Sequence, residues 1–190
     1  MRQSLAETCR LIRADIEFRC RYEHKKASRL TAFRLMFHPG GASVVLYRWQ
    51  RFFDTNGVRV VGAFVRWLNL LLFTSQYSSQ AEIAGGFLVV HAVANYIEDG
   101  VVIGPRCIMF SQNSLSRSPF VEQVDCPPGG VPVVENDVIF GVGACAQGAV
   151  RIGAGCRIGM NTLIDFNTEP GSVLLGVPAR VTRRYKDAAP

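Results

Sequence analysis

The apolar residues of this chain follow two different periods. Over residues 1–75 they recur at intervals of three and four, as in Leu5, Cys9, Leu11, Ile12 and Ile16 and again in Val44, Val45, Trp49, Phe52 and Phe53, the spacing that lines one face of an α-helix. His38-Pro39-Gly40-Gly41 and Asp54-Thr55-Asn56-Gly57 combine helix breakers with turn formers, so three or four helices are predicted, the last over roughly 59–73. Beyond Tyr77 the interval becomes six. Apolar residues stand at Ile83 and Val89, then after a two-residue slip at Ile97, Ile103, Met109 and Leu115. After an interruption they resume at Val134, Phe140, Ala146, Ile152, Ile158 and Ile164. Glycine often follows (Gly104, Gly141, Gly153, Gly159), and a small or β-branched residue commonly sits four places on, as at Val101, Cys107, Val138, Ala144, Val150, Cys156 and Thr162.

A period of six matches neither the 3.6-residue helix nor the two-residue alternation of a simple strand. It is the mark of a parallel β-helix, in which each short repeat completes its core only against its neighbours, and twelve such positions, about four coils, meet the roughly three repeats such an array needs. The predicted class is therefore α+β, a helical N-terminal part followed by a repeat solenoid.

Composition narrows the picture. A chain of 190 residues with 48% hydrophobic content can bury a core, which excludes disorder. The most apolar stretch, 60–73, is interrupted by Arg66 and Asn69, short of the roughly 20 apolar residues of a membrane span. The first residues alternate charged and apolar types rather than forming the continuous apolar core of a secretory signal, which predicts a cytoplasmic protein. The six cysteines include no CxxC pair and have no histidine at ligand spacing, so no metal site is expected. The net charge of +6 is unevenly placed: residues 1–75 carry 13 Lys/Arg against 5 Asp/Glu, and residues 76–190 carry 8 against 10. No nucleic-acid-binding motif accompanies the basic half.

Four segments carry a family resemblance: FHPGGASVVLYR (37–48), the hexad leading to VVHA (89–92), VPVVENDVIFGVGA (131–144) and the closing GSVLLGVPARV (171–181). Together they resemble the serine acetyltransferase-like hexapeptide-repeat acyltransferases, which include saccharide O-acetyltransferases. The resemblance implies a left-handed parallel β-helix over 76–181 with an extended loop at 116–131, a helical domain over 1–75, a basic tail at 182–190, and a homotrimer with sites between subunits. It implies acetyl-CoA as co-substrate and places His91 on the family's catalytic histidine, the base that removes the acceptor hydroxyl's proton as the oxygen attacks the thioester. By the same resemblance Gln76 stands where a carboxylate normally orients that histidine. Gln can fix a tautomer but cannot offset imidazolium charge, so Glu98 and Asp99 are candidate substitutes. His38 is expected to mark a helix boundary and His24 to be solvated.

Other positions depart from the family. Val90 replaces a carboxylate and Gly130-Val131 an Arg-His pair, groups that grip the amino acid in serine acetyltransferases. Their joint loss predicts an acceptor other than free serine, a saccharide or small-metabolite hydroxyl, because a zwitterion needs charged partners when it leaves water. The CoA arm is expected along Gly141-Val142-Gly143 and Gly159-Met160-Asn161, with Val142 and Met160 narrowing the groove and Arg180 near the phosphates. Within the loop, Arg117, Phe120, Glu122 and Asp125 are acceptor-contact candidates. The family's cysteine-synthase-binding tail ends in Ile whereas this chain ends in Pro190, so no cysteine synthase partner is expected. Alternatives are a serine O-acetyltransferase of cysteine biosynthesis, an acyltransferase with another acyl donor, and a non-catalytic trimeric scaffold.

Overall fold

The computed structural model describes residues 2–26, 28–118, 130–176 and 180–184, the last five through their backbone. Four helices come first: α1 (Leu5–Tyr22), α2 (Arg29–Phe37), α3 (Pro39–Thr55) and α4 (Arg59–Phe73). Ser4 and Ser28 start the first two, each hydroxyl accepting from the backbone N–H three residues on, which satisfies an otherwise orphaned donor. The break expected over 38–41 shrinks to His38. Pro39 occupies the first helical position, where its missing N–H costs nothing, and Gly40 and Gly41 lie inside α3. Gly40 is there for contact: a Cβ on it would lie 1.9 Å from the Val89 carbonyl oxygen.

The strands are short and stack in three sheets. The first holds β1 (Gln76–Tyr77), β4 (Tyr96–Ile97), β7 (Ser114–Ser116), β10 (Cys145–Gln147) and β13 (Leu163–Ile164). The second holds β2 (Glu82–Ile83), β5 (Val102–Ile103), β8 (Val133–Val134) and β11 (Arg151–Ile152). The third holds β3 (Leu88–Val89), β6 (Ile108–Met109), β9 (Ile139–Phe140), β12 (Arg157–Ile158), β14 (Ser172–Leu175) and, antiparallel at its end, β15 (Arg180–Arg184). Through β13, each strand pairs in parallel with the strand three places on, so the chain visits the three sheets in rotation. All twelve apolar positions of the six-residue period are the inward residues of these strands, none more than 5% exposed. Tyr77 adds one buried position before Ile83, and Leu174 stacks on Ile158 at the far end. The small residues four places on are buried at the corners between sheets.

β1, β2 and β3 are edge strands, and their unpaired backbone groups would face water or attract another chain. The helices cover them with polar side chains. Gln50 donates to the Tyr77 carbonyl (3.0 Å), the Tyr47 hydroxyl to the Ala81 carbonyl (2.9 Å) and Arg48 to the carbonyls of Ile83 and Ala84 (2.5 and 2.7 Å). Asp15 accepts from the N–H groups of Gly86 and Phe87 (2.8 and 2.9 Å) and from Arg48 through both carboxylate oxygens (2.9 and 3.1 Å). Burial pushes the Asp15 carboxyl above its usual range, and the Arg48 charge opposes that push. Among the described residues, no helix is long and apolar enough to cross a membrane.

Candidate functional site

The edge where the third sheet turns into the first collects the chemistry. Its corners are residues 90–95, 110–113, 141–144 and 159–162, the segments between β3 and β4, β6 and β7, β9 and β10, and β12 and β13. Three of these corners have four residues and the first has six, so the two-residue slip of the hexad register is a widened corner, and His91 sits on it. Ala94, Gln112, Gly143 and Asn161 all take left-handed backbone conformations, with φ of 54, 59, 70 and 51°. Successive corners are tied together: Gln112 N–H donates to Val93 O (2.8 Å), Gly143 N–H to Ser111 O (2.9 Å) and Asn161 N–H to Val142 O (2.8 Å).

Inside this edge lie two buried asparagines, each two residues before an inward position. The Asn95 side-chain amide donates to the carbonyls of His91 and Phe110 (both 3.2 Å), and its oxygen accepts from Asn113 N–H (3.0 Å). Asn113 in turn donates to the carbonyls of Gly141 and Ala144 (2.5 and 3.2 Å). Since a buried amide that loses its partners costs about 1–3 kcal/mol, this ladder fixes the widened corner from within. Above it the His91 side chain is exposed, 6.4 Å between ring centroids from Phe110, so the imidazole is accessible while its backbone is held.

The expected assistants of His91 are placed differently. Gln76 begins β1 in the same sheet that leaves the widened corner. Its N–H donates to Asn95 O (2.8 Å), but no hydrogen bond among the described residues joins its exposed side chain to His91. Glu98 and Asp99 follow β4 on the opposite side of the first sheet, where Glu98 pairs with Arg117 and Asp99 accepts from Ser78. Arg117 is thus held at that other edge, its guanidinium also donating to the Asp99 carbonyl (3.3 Å). Phe120, Glu122 and Asp125 lie outside the described residues, as does the side chain of Arg180.

Gly141-Val142-Gly143 and Gly159-Met160-Asn161 occupy the same edge as His91, one and two coils beyond Phe110. A Cβ on Gly141 would lie 3.0 Å from backbone atoms of Ile158, Gly159 and Met160, and one on Gly143 would meet the Asn161 side chain at 2.1 Å. Close stacking of the coils therefore favours glycine at 141, and the left-handed backbone favours it at 143. The corner-to-corner bonds use the N–H groups of Gly141, Gly143, Gly159 and Asn161, and leave those of Val142 and Met160 out of the ladder. Met160 is 72% exposed, so its side chain stands out in solvent and does not fill the edge. Two amides outside the ladder beside closely stacked glycines suit the amide-rich arm of CoA.

Sequence reasoning passed over Arg19 and took His38 only as a helix boundary. That boundary reading agrees with its place between α2 and α3. The Arg19 guanidinium, 5% exposed, donates to the carbonyl of Val89 (3.1 Å), two residues before His91, and to His38 Nδ1 (2.8 Å), and pairs with Glu23 (2.8 Å). Separations of 19 and 70 residues left no trace in any local pattern. Asn95 and Asn113 did have a signal: both repeat at the interior corner position otherwise filled by small or β-branched residues.

No protein-family profile matches the chain. It is 23% identical over 176 residues to the serine acetyltransferase of Synechococcus elongatus, covering 88% of this chain and 67% of that protein. It is 27% identical over 154 residues to the serine acetyltransferase of Mycobacterium tuberculosis, covering 80% and 64%. The chain thus spans about two thirds of the length of these relatives. Its fold superposes with a TM-score of 0.81 on a serine acetyltransferase of Brucella abortus solved in complex with coenzyme A, at 16% identity, covering 95% of this chain and 69% of that one. These likenesses overturn two expectations. The acceptor predicted from the missing charged groups, a hydroxyl other than that of serine, gives way, because the relatives matched are serine acetyltransferases. The physical reason is that positions 90 and 130–131 are not the only sources of charge: Arg19 reaches the strand end beside His91. The exclusion of cysteine synthase as a partner also falls, since the family resemblance carries that partner for serine acetyltransferases and the last residue of the chain decides nothing.

Proposed function

We propose that the chain, similar to the serine acetyltransferase-like hexapeptide-repeat acyltransferases, catalyses transfer of acetyl from acetyl-CoA to the hydroxyl of L-serine, with His91 as general base. The observation that carries this reading is the placement of His91 on the one widened corner of the edge that also holds the 141–143 and 159–161 segments. Acetyl-CoA supplies an activated thioester carbonyl. His91 takes the proton of the serine hydroxyl as that oxygen bonds to the carbonyl carbon, and returns it to the sulfur as the carbon–sulfur bond breaks, leaving O-acetylserine and the free thiol. No acyl-enzyme is needed. The N–H groups of Val142 and Met160, outside the corner-to-corner ladder, hold the donor's amide-rich arm along the edge, and Arg180 is the candidate partner of its phosphates. Gln76 fixes the corner through its backbone.

The same reading includes a left-handed winding of the coil, as the family resemblance implies, and a homotrimer. The outer side of α4, with Val60, Phe64, Trp67 and Leu71 between 53% and 84% exposed, supports assembly of more than one copy, since contiguous apolar patches mark interaction sites. The test is thiol release from acetyl-CoA with and without L-serine, with the acetylated product identified by mass spectrometry. Saturable serine-dependent release is expected. Thiol release no faster with serine than without it would overturn the proposal.

A further inference from the structure

The buried Arg19 guanidinium is shared among three partners, and its bond to His38 fixes the chemistry of that ring. A guanidinium has donors only, so His38 Nδ1 must accept and the proton of the neutral imidazole must sit on Nε2. Burial and then the Arg19 charge hold the His38 pKa below the usual histidine value, which keeps that tautomer neutral. His38 is itself exposed, and its Nε2–H is the polar group it has left to offer. The positive charge behind it is only partly cancelled, because Glu23 is shared between Arg19 (2.8 Å) and Lys25 (2.6 Å), leaving one excess positive charge in this trio. One arm of the guanidinium holds the carbonyl two residues before His91 and another holds His38, so the two imidazoles are anchored to a single rigid group. At position 130, by contrast, a side chain has no room: a Cβ on Gly130 would lie 2.2 Å from the Ala149 methyl.

We infer that the Arg19–His38 pair is the binding site for the carboxylate of the amino-acid acceptor, with His38 Nε2–H as the donor and Arg19 as the fixed charge behind it. This rests on the proposed acetylation of serine. A donor backed by a buried cation makes a charge-assisted hydrogen bond to a carboxylate, and a carboxylate anchored there would leave its hydroxyl end for His91. His38 is then a specificity-determining residue that sorts acids from their neutral analogues.

Initial rates with L-serine and with L-serinamide, which lacks the carboxylate, separate the outcomes in the wild type, His38→Ala and His38→Gln. The wild type is expected to favour serine. In His38→Ala the ratio of kcat/KM for serine over serinamide should fall about ten- to a hundredfold, the range of a hydrogen bond to a charged group, chiefly through KM for serine and with KM for acetyl-CoA unchanged. His38→Gln should recover part of the ratio, because its amide also donates. Serine turnover with an unchanged ratio in His38→Ala would overturn this site and leave the serine reading standing. Absence of serine turnover in the wild type would overturn both.

Discussion

The coil and the helical head bury their polar groups for opposite reasons. In the coil, interior positions repeat, and the two buried asparagines, Asn95 and Asn113, bond from one turn to the next. In the head, the buried polar side chains are individual, and most serve the coil: Arg48, Asp15, Tyr47 and Gln50 satisfy the open edge of its first turn. A solenoid can be extended indefinitely by repetition, but it cannot end itself. The head is the ending, and its internal ion pair exists because two edge strands expose both carbonyls and N–H groups at one place.

That contrast can be broken most severely at Arg48, which is fully buried. Arg48→Met should lower stability by about 3–5 kcal/mol in chemical denaturation at neutral pH, because it leaves Asp15 buried and unpaired. Asp15, already held above its usual range by burial, would rise further without its partner. Protonation then removes the uncompensated charge, so the loss should shrink as pH falls through the acidic range. Equal destabilisation at pH 7 and pH 5 would contradict the role given to the pair. A smaller effect is expected inside the coil. Asn113→Ala removes the side-chain donor shared by two carbonyls of the next corner and should cost about 1–3 kcal/mol in the same assay, together with a loss of serine acetylation through the His91 corner. The mildest test is chemical. Burial pushes the Cys107 thiol up to about 12, so at pH 8.5 it stays protonated and should resist iodoacetamide in the folded protein, while exposed Cys9 is alkylated, as peptide mass spectrometry would show.

What the amino-acid sequence disclosed follows the same division. Repetition makes a pattern visible, and all twelve hexad positions from Ile83 to Ile164 could be named without coordinates. The slip between Val89 and Ile97 was visible too, and it is the widened corner that carries His91. Tyr77 escaped because it stands at the start of the array, where one flanking repeat is missing, and Leu174 because it lies ten residues beyond Ile164, out of the six-residue register. The helix limits at Phe37 and Phe73 were legible from local patterns, but Gly40 and Gly41 misled, since their cause is close contact with the carbonyls of Val89 and Leu35 and not a turn. Arg19 and His38 could not be paired in advance, because long-range polar contacts between unlike elements have no period. The same blindness produced the wrong acceptor: charge missing at two familiar positions was taken as charge missing from the site.

The central claim is that the histidine on the widened corner activates the acceptor hydroxyl. Its most direct test is the serine-dependent rate of thiol release from acetyl-CoA in His91→Ala, measured beside the wild type at saturating acetyl-CoA, with circular dichroism confirming that the variant is folded. Loss of a general base predicts a fall of about 10²–10⁴ in kcat with the helical and strand content unchanged. A folded His91→Ala protein that acetylates serine at the wild-type rate would contradict the account.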